Sequence, residues 1–287
     1  MNTDPLATTI LDLLAVMKRP AFKLILGGGY GLYLKQLHLQ GVQGIRTLLP
    51  GELWPYPRTT EDLDVFLPTE IVASLDGMRS IRAALDGLGF QPVAGAEFLH
   101  FAKPWHGGGR VKIDMLTGPI GDPVTRRNLK IVPPRVRPRG DLQLHAYLTA
   151  EAIDFDQSLL PLPVEGARSD GAPAKATVFV PQPFTFLLMK LHAFADRLAD
   201  ANRDLGRHHA LDIYRIIAML TPVEYDDVRA NVRRHSGLPA VERARQIIAE
   251  HFSSATSPGA LRLREHTLFT PSMDIDTMRA TLAELFS

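Results

Sequence analysis

The sequence predicts an α+β chain: a mixed sheet with flanking helices, followed by a helical C-terminal domain. Three observations predict it. Through the first half, short apolar runs bounded by Gly and Pro alternate with helical periodicity. Two of these runs, "EDLDVFL" and "VKIDML", set acids between apolar residues at period two, the spacing of a half-buried strand. Beyond Pro183 only helical spacing remains. The expected boundary lies there, with an α/β domain over 1–183 and a helical domain over 184–287, and no internal repeat.

The elements follow in order. Leu6, Ile10, Leu13, Leu14 and Met17 fall on one helical face. Lys23–Leu26 reads as a strand, Gly27–Gly29 as a turn and Tyr30–Leu39 as a helix. Gln40–Arg58, rich in Gly and Pro, reads as a loop; its Trp54 and Tyr56 leave open a lid, a substrate contact or a packed excursion. Leu63–Leu67 is a strand. A helix follows, with Thr69 as its N-cap and a stop at Gly87–Gly89. "EFLHFAKPW" and "RVKIDMLTG" form a hairpin around "HGGG". From Asn128 to Pro183 the pattern weakens, and "VEGARSDGAPAKATVFVP" reads as a polar loop and then a strand. Five helices are expected after Pro183, beginning near Phe184, Gly206, Pro222, Pro239 and Ser272.

Bulk properties narrow the function classes. The 287 residues are 45% hydrophobic and 22% charged, ordinary for a globular chain with a real core. A net charge of +1 leaves nucleic-acid or membrane binding to local patches. The absence of Cys excludes disulfides, thiolate metal sites and cysteine nucleophiles. An acid, Asp4, stands where a secretion signal carries basic residues, and no apolar run reaches membrane-spanning length. The expectation is a cytoplasmic protein without membrane partners.

The chemistry concentrates on three acids. Asp62 and Asp64 are two apart on a strand, so both side chains point to one face. Their repulsion is relieved by a shared hard cation, and Mg2+ is commonly held by one or two carboxylates together with substrate phosphates. Asp114 is a third acid in an alternating strand, costly there unless exposed, paired or metal-bound. Three strand-borne aspartates suit metal-assisted phosphoryl transfer, with Mg2+ or Mn2+. The plainer alternative is a solvated strand start and an exposed acid. "GGGYG", between strand and helix, lets backbone N–H groups approach an anion or simply makes a tight turn. It is neither a Walker loop nor a dinucleotide fingerprint.

"LILGGGYGLYL", "RTTEDLDVFL" and "VKIDML", in that order, resemble the nucleotidyltransferase superfamily, and more narrowly the AbiEii toxin-like branch of type IV toxin–antitoxin systems. Arg58, Thr60, Asp62 and Asp64 match that branch's Arg-x-Ser/Thr-x-Asp-hydrophobic-Asp stretch. "MKLHAFADR" and "HHALDIYRI" supply Lys190, Arg197, Asp212 and Tyr214 in its helical part. The match departs after the glycines, where Gly29 and Tyr30 replace the usual hydroxyl residue. "HHALD" replaces the usual Arg-Asp pair. The resemblance implies a nucleotidyltransferase-like fold and transfer of NMP from an NTP to a hydroxyl. It also implies metal on Asp62, Asp64 and Asp114, phosphate against Gly28 and Gly29, and nucleotide contacts from Arg58, Thr60, Lys190, Arg197 and Asp212. The acceptor so implied is RNA, tRNA included, or protein, in a toxin held by a partner antitoxin. An antibiotic-type transferase acting on a small molecule, and a non-catalytic nucleotide- or partner-binding module, are the alternatives.

Three further readings come from the residues themselves. Lys190, among Leu187, Leu188, Leu191 and Phe194, either steadies phosphate charge or pairs with a neighbour, and Asp212 is the expected partner of Lys190 or Arg197. The adjacent His208 and His209 point different ways on a helix and make a poor metal pair. Basic residues cluster at Arg126, Arg127, Lys130, Arg135, Arg137 and Arg139, and again at Arg229, Arg233, Arg234, Arg243 and Arg245. Such clusters bind RNA phosphates or form a solvated face; no aromatic is interleaved with them.

Overall fold

A computed structural model describes residues 4–17, 23–58, 60–105 and 108–287. Thr59 and the His106–Gly107 part of the expected hairpin turn lie outside the described residues. The chain divides into two compact units. One comprises residues 1–31, 59–150 and 154–181; the other comprises 32–58, 151–153 and 182–287. The Gln40–Arg58 excursion thus groups with the helices rather than with the sheet.

The first unit contains, in chain order, α1 (Pro5–Val16), β1 (Ile25–Leu26), the start of α2 (Gly28–Gly41), β2 (Asp62–Phe66), α3 (Thr69–Ala73), α4 (Leu75–Gly87), β3 (Gln91–Pro92), β4 (His100–Pro104) and β5 (Arg110–Thr117). It continues with α5 (Pro123–Arg127), β6 (Leu129–Val132), β7 (Arg135–Pro138), β8 (Ala146–Leu148), β9 (Leu160–Ala167) and β10 (Pro173–Val180). The strands form one sheet in the order β6-β7-β8-β5-β2-β1-β10-β9, with β4 also on β5 and β3 on β4. Pairings β1–β10, β2–β5 and β5–β8 are parallel and the rest antiparallel, so the sheet is mixed as expected.

Local chemistry sets the element ends. Asp4 caps α1 by accepting the N–H groups of Leu6 and Ala7 at 2.9 and 3.3 Å. The helix expected from Thr69 is two helices. Ser74 takes an extended conformation and accepts the Gly77 N–H at 3.1 Å, which restarts the helix as α4. Thr69 is the first residue of α3, whose cap, Pro68, offers no side-chain acceptor. The weakly patterned stretch after Asn128 holds two hairpins, β6–β7 and β9–β10. The second turns through Arg168–Ala172, with Gly171 at φ +83°.

Alternation gives the sheet one packed face and one open face. Leu63, Val65, Val111, Ile113, Met115, Val136 and Ala146 are buried, while Asp62, Asp64, Lys112 and Asp114 between them are only partly covered. Register carries the open face across the strands. Asp62 pairs with Lys112, and Asp64 with Asp114, which also pairs with His100. Leu116 pairs with Tyr147, Tyr147 with Arg135, and Arg137 with Lys130.

In the second unit, the rest of α2 joins α6 (Pro183–Arg197), α7 (Arg207–Ala218), α8 (Pro222–Arg234), α9 (Pro239–His251), α10 (Pro258–Arg264) and α11 (Ile275–Leu285). The short α10 is absent from the sequence reading. The core is built by α6 and α7 through Phe184, Leu187, Leu188, Leu191, Phe194, Leu211, Ile213, Ile216 and Ile217, each fully or almost fully buried. Residues 40–58 pack on it as an ordered loop. Leu48 and Leu49 donate N–H to the carbonyls of Leu220 and Ala218, and the Trp54 indole donates to the Leu49 carbonyl. Among the described residues, no helix is long and apolar enough to cross a membrane.

Candidate active site

The open face of the sheet gathers the three aspartates on neighbouring parallel strands, β2 and β5. Glycine makes this arrangement possible. Gly28, at φ +58°, leads into α2, and a Cβ there would stand 1.6 Å from Oδ2 of Asp64. At Gly27 a Cβ would stand 2.5 Å from the Phe66 ring, and the Gly27 N–H bonds the Asp64 carbonyl at 2.8 Å. The glycine turn therefore lies directly against the second aspartate, and Gly29 follows it in the first turn of α2. Thr60 Oγ1 accepts the Asp62 N–H at 3.2 Å and fixes the start of β2.

The three acids differ in their partners. Both oxygens of Asp114 are engaged: Oδ1 accepts from Nδ1 of His100 at 2.5 Å and Oδ2 from Nζ of Lys112 at 2.8 Å. Lys112 Nζ stands 3.9 Å from Oδ1 of Asp62, a longer and weaker contact. Burial pushes the Asp62 carboxyl up; Lys112 opposes the rise and the charge of Asp114 adds to it. Asp62 is also the more open, with 48% of its side chain exposed against 15% for Asp114.

Among the described residues, no group of three or more His, Asp or Glu side chains is arranged to hold a metal ion. The donor set that fits a cation is Asp62 with Asp64, two carboxylates on one face. That number suits Mg2+, which takes its remaining oxygens from water and substrate phosphates. The raised carboxyl of Asp62 is a group that a neighbouring cation would relieve.

The remaining expected site residues lie in the second unit, in a buried ionic cluster. Asp212 is wholly buried. It accepts from Lys190 Nζ at 2.7 Å, from Arg215 Nη1 at 3.1 Å and from Arg58 Nη2 at 3.4 Å. Burial by itself raises this carboxyl, but Lys190, Arg58 and Arg215 outweigh it and hold the group well below the usual carboxylate range. Arg215 also donates to Oε1 of Gln36, whose amide donates to the Pro55 carbonyl, so the cluster ties the 40–58 loop to α7. Asp212 pairs with Lys190, as expected. Arg197 instead meets Nε2 of His209, which burial and the nearby Lys190 and Arg197 charges keep neutral. His208 does not join His209; it turns to His266, with Nδ1 and Nε2 2.8 Å apart.

Sequence reading missed His100, Lys112, Arg215 and Gln36. Lys112 carried a signal, standing two residues before Asp114 and so on its face. Arg215, three residues beyond Asp212 on one helix, carried another. His100 and Gln36 are placed by strand and helix pairing, which no local pattern announces.

No protein-family model matches the chain, and no curated protein matches it. Among solved structures it is similar to that of the antibiotic-resistance factor ANT(2'')-Ia. The identity is 13% over 83% of this chain and 97% of that one, with a TM-score of 0.36.

Proposed function

We propose that this chain is a metal-dependent nucleotidyltransferase on a nucleotidyltransferase-like fold, moving NMP from an NTP to a hydroxyl and releasing pyrophosphate. The observation that carries the reading is the row of Asp62, Asp64 and Asp114 on one open face, with Gly28 backing Asp64. Asp62 and Asp64 would hold the cation, which would supply positive charge against the phosphates of the NTP. Asp114 acts by orientation. Its Oδ1 holds Nδ1 of His100, which leaves Nε2 as the basic nitrogen of the ring. His100 takes the proton of the attacking hydroxyl. The hydroxyl oxygen bonds the α-phosphorus as the bond to the pyrophosphate oxygen breaks. Lys112, held by Asp114 near Asp62, adds fixed positive charge. Backbone N–H groups at Gly28 and Gly29 are the phosphate contacts, and Thr60 positions Asp62.

The second unit has charge of its own suited to phosphate oxygens. Arg58 and Arg197 are its partly open cations, Arg197 beside a neutral His209, while Lys190 and Arg215 are buried on Asp212 and hold it in place. The acceptor is RNA, tRNA included, or protein, in the toxin-like role with an antitoxin partner that the motif order implies.

The test is thermal stabilisation of the full chain by each NTP with Mg2+, followed by transfer of label from radioactive NTP in cell extract. Wild type should melt higher with one or more NTPs in a metal-dependent way, and Asp64→Ala should not. Label should enter a macromolecule. Label on a small hydroxylated drug would instead favour the antibiotic-type reading. Absence of any metal-dependent nucleotide shift sinks the proposal.

A further inference from the structure

Residues 126–139 hold six of the chain's 32 basic residues and no acid. Most partly or fully exposed arginines elsewhere among the described residues meet a carboxylate, as Arg79, Arg82, Arg168, Arg243, Arg262 and Arg279 do. Among the described residues, no ion pair engages Lys130, Arg135, Arg137 or Arg139. Lys130 and Arg137 are direct cross-strand partners on the β6–β7 hairpin. Like charges so placed destabilise a hairpin. Arg137 donates to the carbonyls of Pro138 and Gly140 and Arg139 to that of Arg127, neutral acceptors that leave the charge of the strip in place.

The direction in which these residues face gives the cluster its meaning. Arg135 pairs with Tyr147, Tyr147 with Leu116, and Leu116 stands two residues beyond Asp114. Because register partners and alternate residues share a face, Lys130, Arg135 and Arg137 lie on the same side of the sheet as the aspartates. β7 is two strands from β5, about 10 Å. Between them stand aromatic rings that the linear sequence separates. Tyr147 is 40% exposed. Phe98 stacks on His145 at 4.7 Å, and the Arg135 guanidinium lies over Phe98 at 5.8 Å. His145 feels the strip directly: burial first, then Arg137, Arg135 and Lys130, lower it to about 4, so it is neutral at physiological pH. A cleft of about 720 Å³ runs along Lys130, Arg137 and Arg139, with Asp141 its sole acid.

We infer that the open face from β6 to β5 binds a single-stranded polynucleotide. Its phosphates lie on Lys130, Arg135, Arg137 and Arg139, a base stacks on Tyr147, and the strand leads a hydroxyl toward Asp62 and Asp64. The inference deepens the nucleotidyl-transfer reading by naming the acceptor class, and in its last clause rests on it. A flexible strand suits the surface because basic side chains meet every phosphate alike, while an exposed ring accepts any base.

The experiment measures binding of a fluorescent 20-nucleotide unstructured RNA to the full chain by anisotropy, from low to moderate salt. The same DNA sequence and anionic lipid vesicles are separate arms. Four phosphate contacts give a slope of log K against log salt of about −3. Lys130→Glu with Arg137→Glu should weaken RNA binding at least tenfold and flatten the slope by about 1.4. Arg79→Glu with Arg262→Glu, an equal change of net charge outside both basic clusters, should leave it within twofold. Tyr147→Ala should cost about fivefold or more. Tighter binding of RNA than of DNA supports an RNA strand, tighter binding of DNA a DNA strand, and equal binding supports recognition of the phosphates and bases that the two share. Equal weakening by both double variants, an unaffected Tyr147→Ala, or preference for vesicles over RNA overturns the inference. NTP stabilisation in the same samples separates the two ideas. If NTPs stabilise the protein while RNA ignores the strip, only the surface proposal falls. If RNA follows the strip while no NTP ever stabilises the protein, the transfer reading falls instead.

Discussion

The molecule holds two aspartate centres. Asp212 is fully enclosed, and three cations and a helix surround it. Asp62, with its neighbours Asp64 and Asp114, lies half open on a sheet, and the one lysine within reach favours Asp114. The first carboxyl is driven down and the second up. A burial penalty alone does not separate them, since burial pushes both carboxyls upward. The count of nearby cations does. Where cations exceed the acid the cluster is a brace, and at Asp62, where burial and neighbouring acids outweigh Lys112 and Arg110, a positive charge from outside would be stabilising.

The largest effect that would break this contrast is on folding. Asp212→Asn leaves Lys190, Arg58 and Arg215 without their shared anion, and should cost about 3–5 kcal/mol of unfolding free energy in urea. Asp62→Asn should change stability by no more than about 0.5 kcal/mol, or raise it, while abolishing nucleotide-dependent stabilisation. Equal destabilisation by the two variants would erase the distinction.

Next in size is Gly28→Ala. Its methyl group meets the Asp64 carboxylate at a backbone angle that alanine disfavours, so a loss of about 2 kcal/mol is expected. A crystal structure of the variant should show the Asp64 side chain displaced, and an unmoved carboxylate would refute the close approach.

The pH response is smaller and has a defined sign. His209 and His266 are held neutral by burial, His266 down to about 4. Groups depressed on folding stabilise above their unfolded value, about 6.5, and lose that contribution as pH falls through the folded one. The melting temperature should therefore fall between about pH 6.5 and pH 4, and His266→Gln should flatten the slope. Asp212 has the same sign but acts only below about pH 4.

Smallest is Thr60→Ala, which removes the hydroxyl that accepts the Asp62 N–H and should cost about 0.5–1 kcal/mol by thermal unfolding.

Much of this contrast was legible in the residues. "DLDVF" and "VKIDM" announced two alternating strands, and the parity of Asp62 with Asp64 put both on one face before any pairing was known. Lys190 among leucines announced a buried cation that needs a partner, and Asp212 was the right one. What could not be read was relative placement. The pairing of Arg135 with Tyr147 and of Asp114 with His100 joins segments that local periodicity treats as unrelated. The four-residue strands β6 and β7 are too short for alternation to stand out among prolines. Ser74 broke an expected single helix because its hydroxyl competes with helix continuation, a choice decided by one side chain.

The β6–β7 hairpin has one more consequence, for how copies of this chain meet. β6 ends the sheet, and among the described residues no other strand pairs with its outer backbone edge. Two copies approaching rim to rim would bring Lys130 and its arginine neighbours against the same cations on the other copy. Charge on an edge strand disfavours such pairing, and uncharged side chains there should raise the tendency to aggregate.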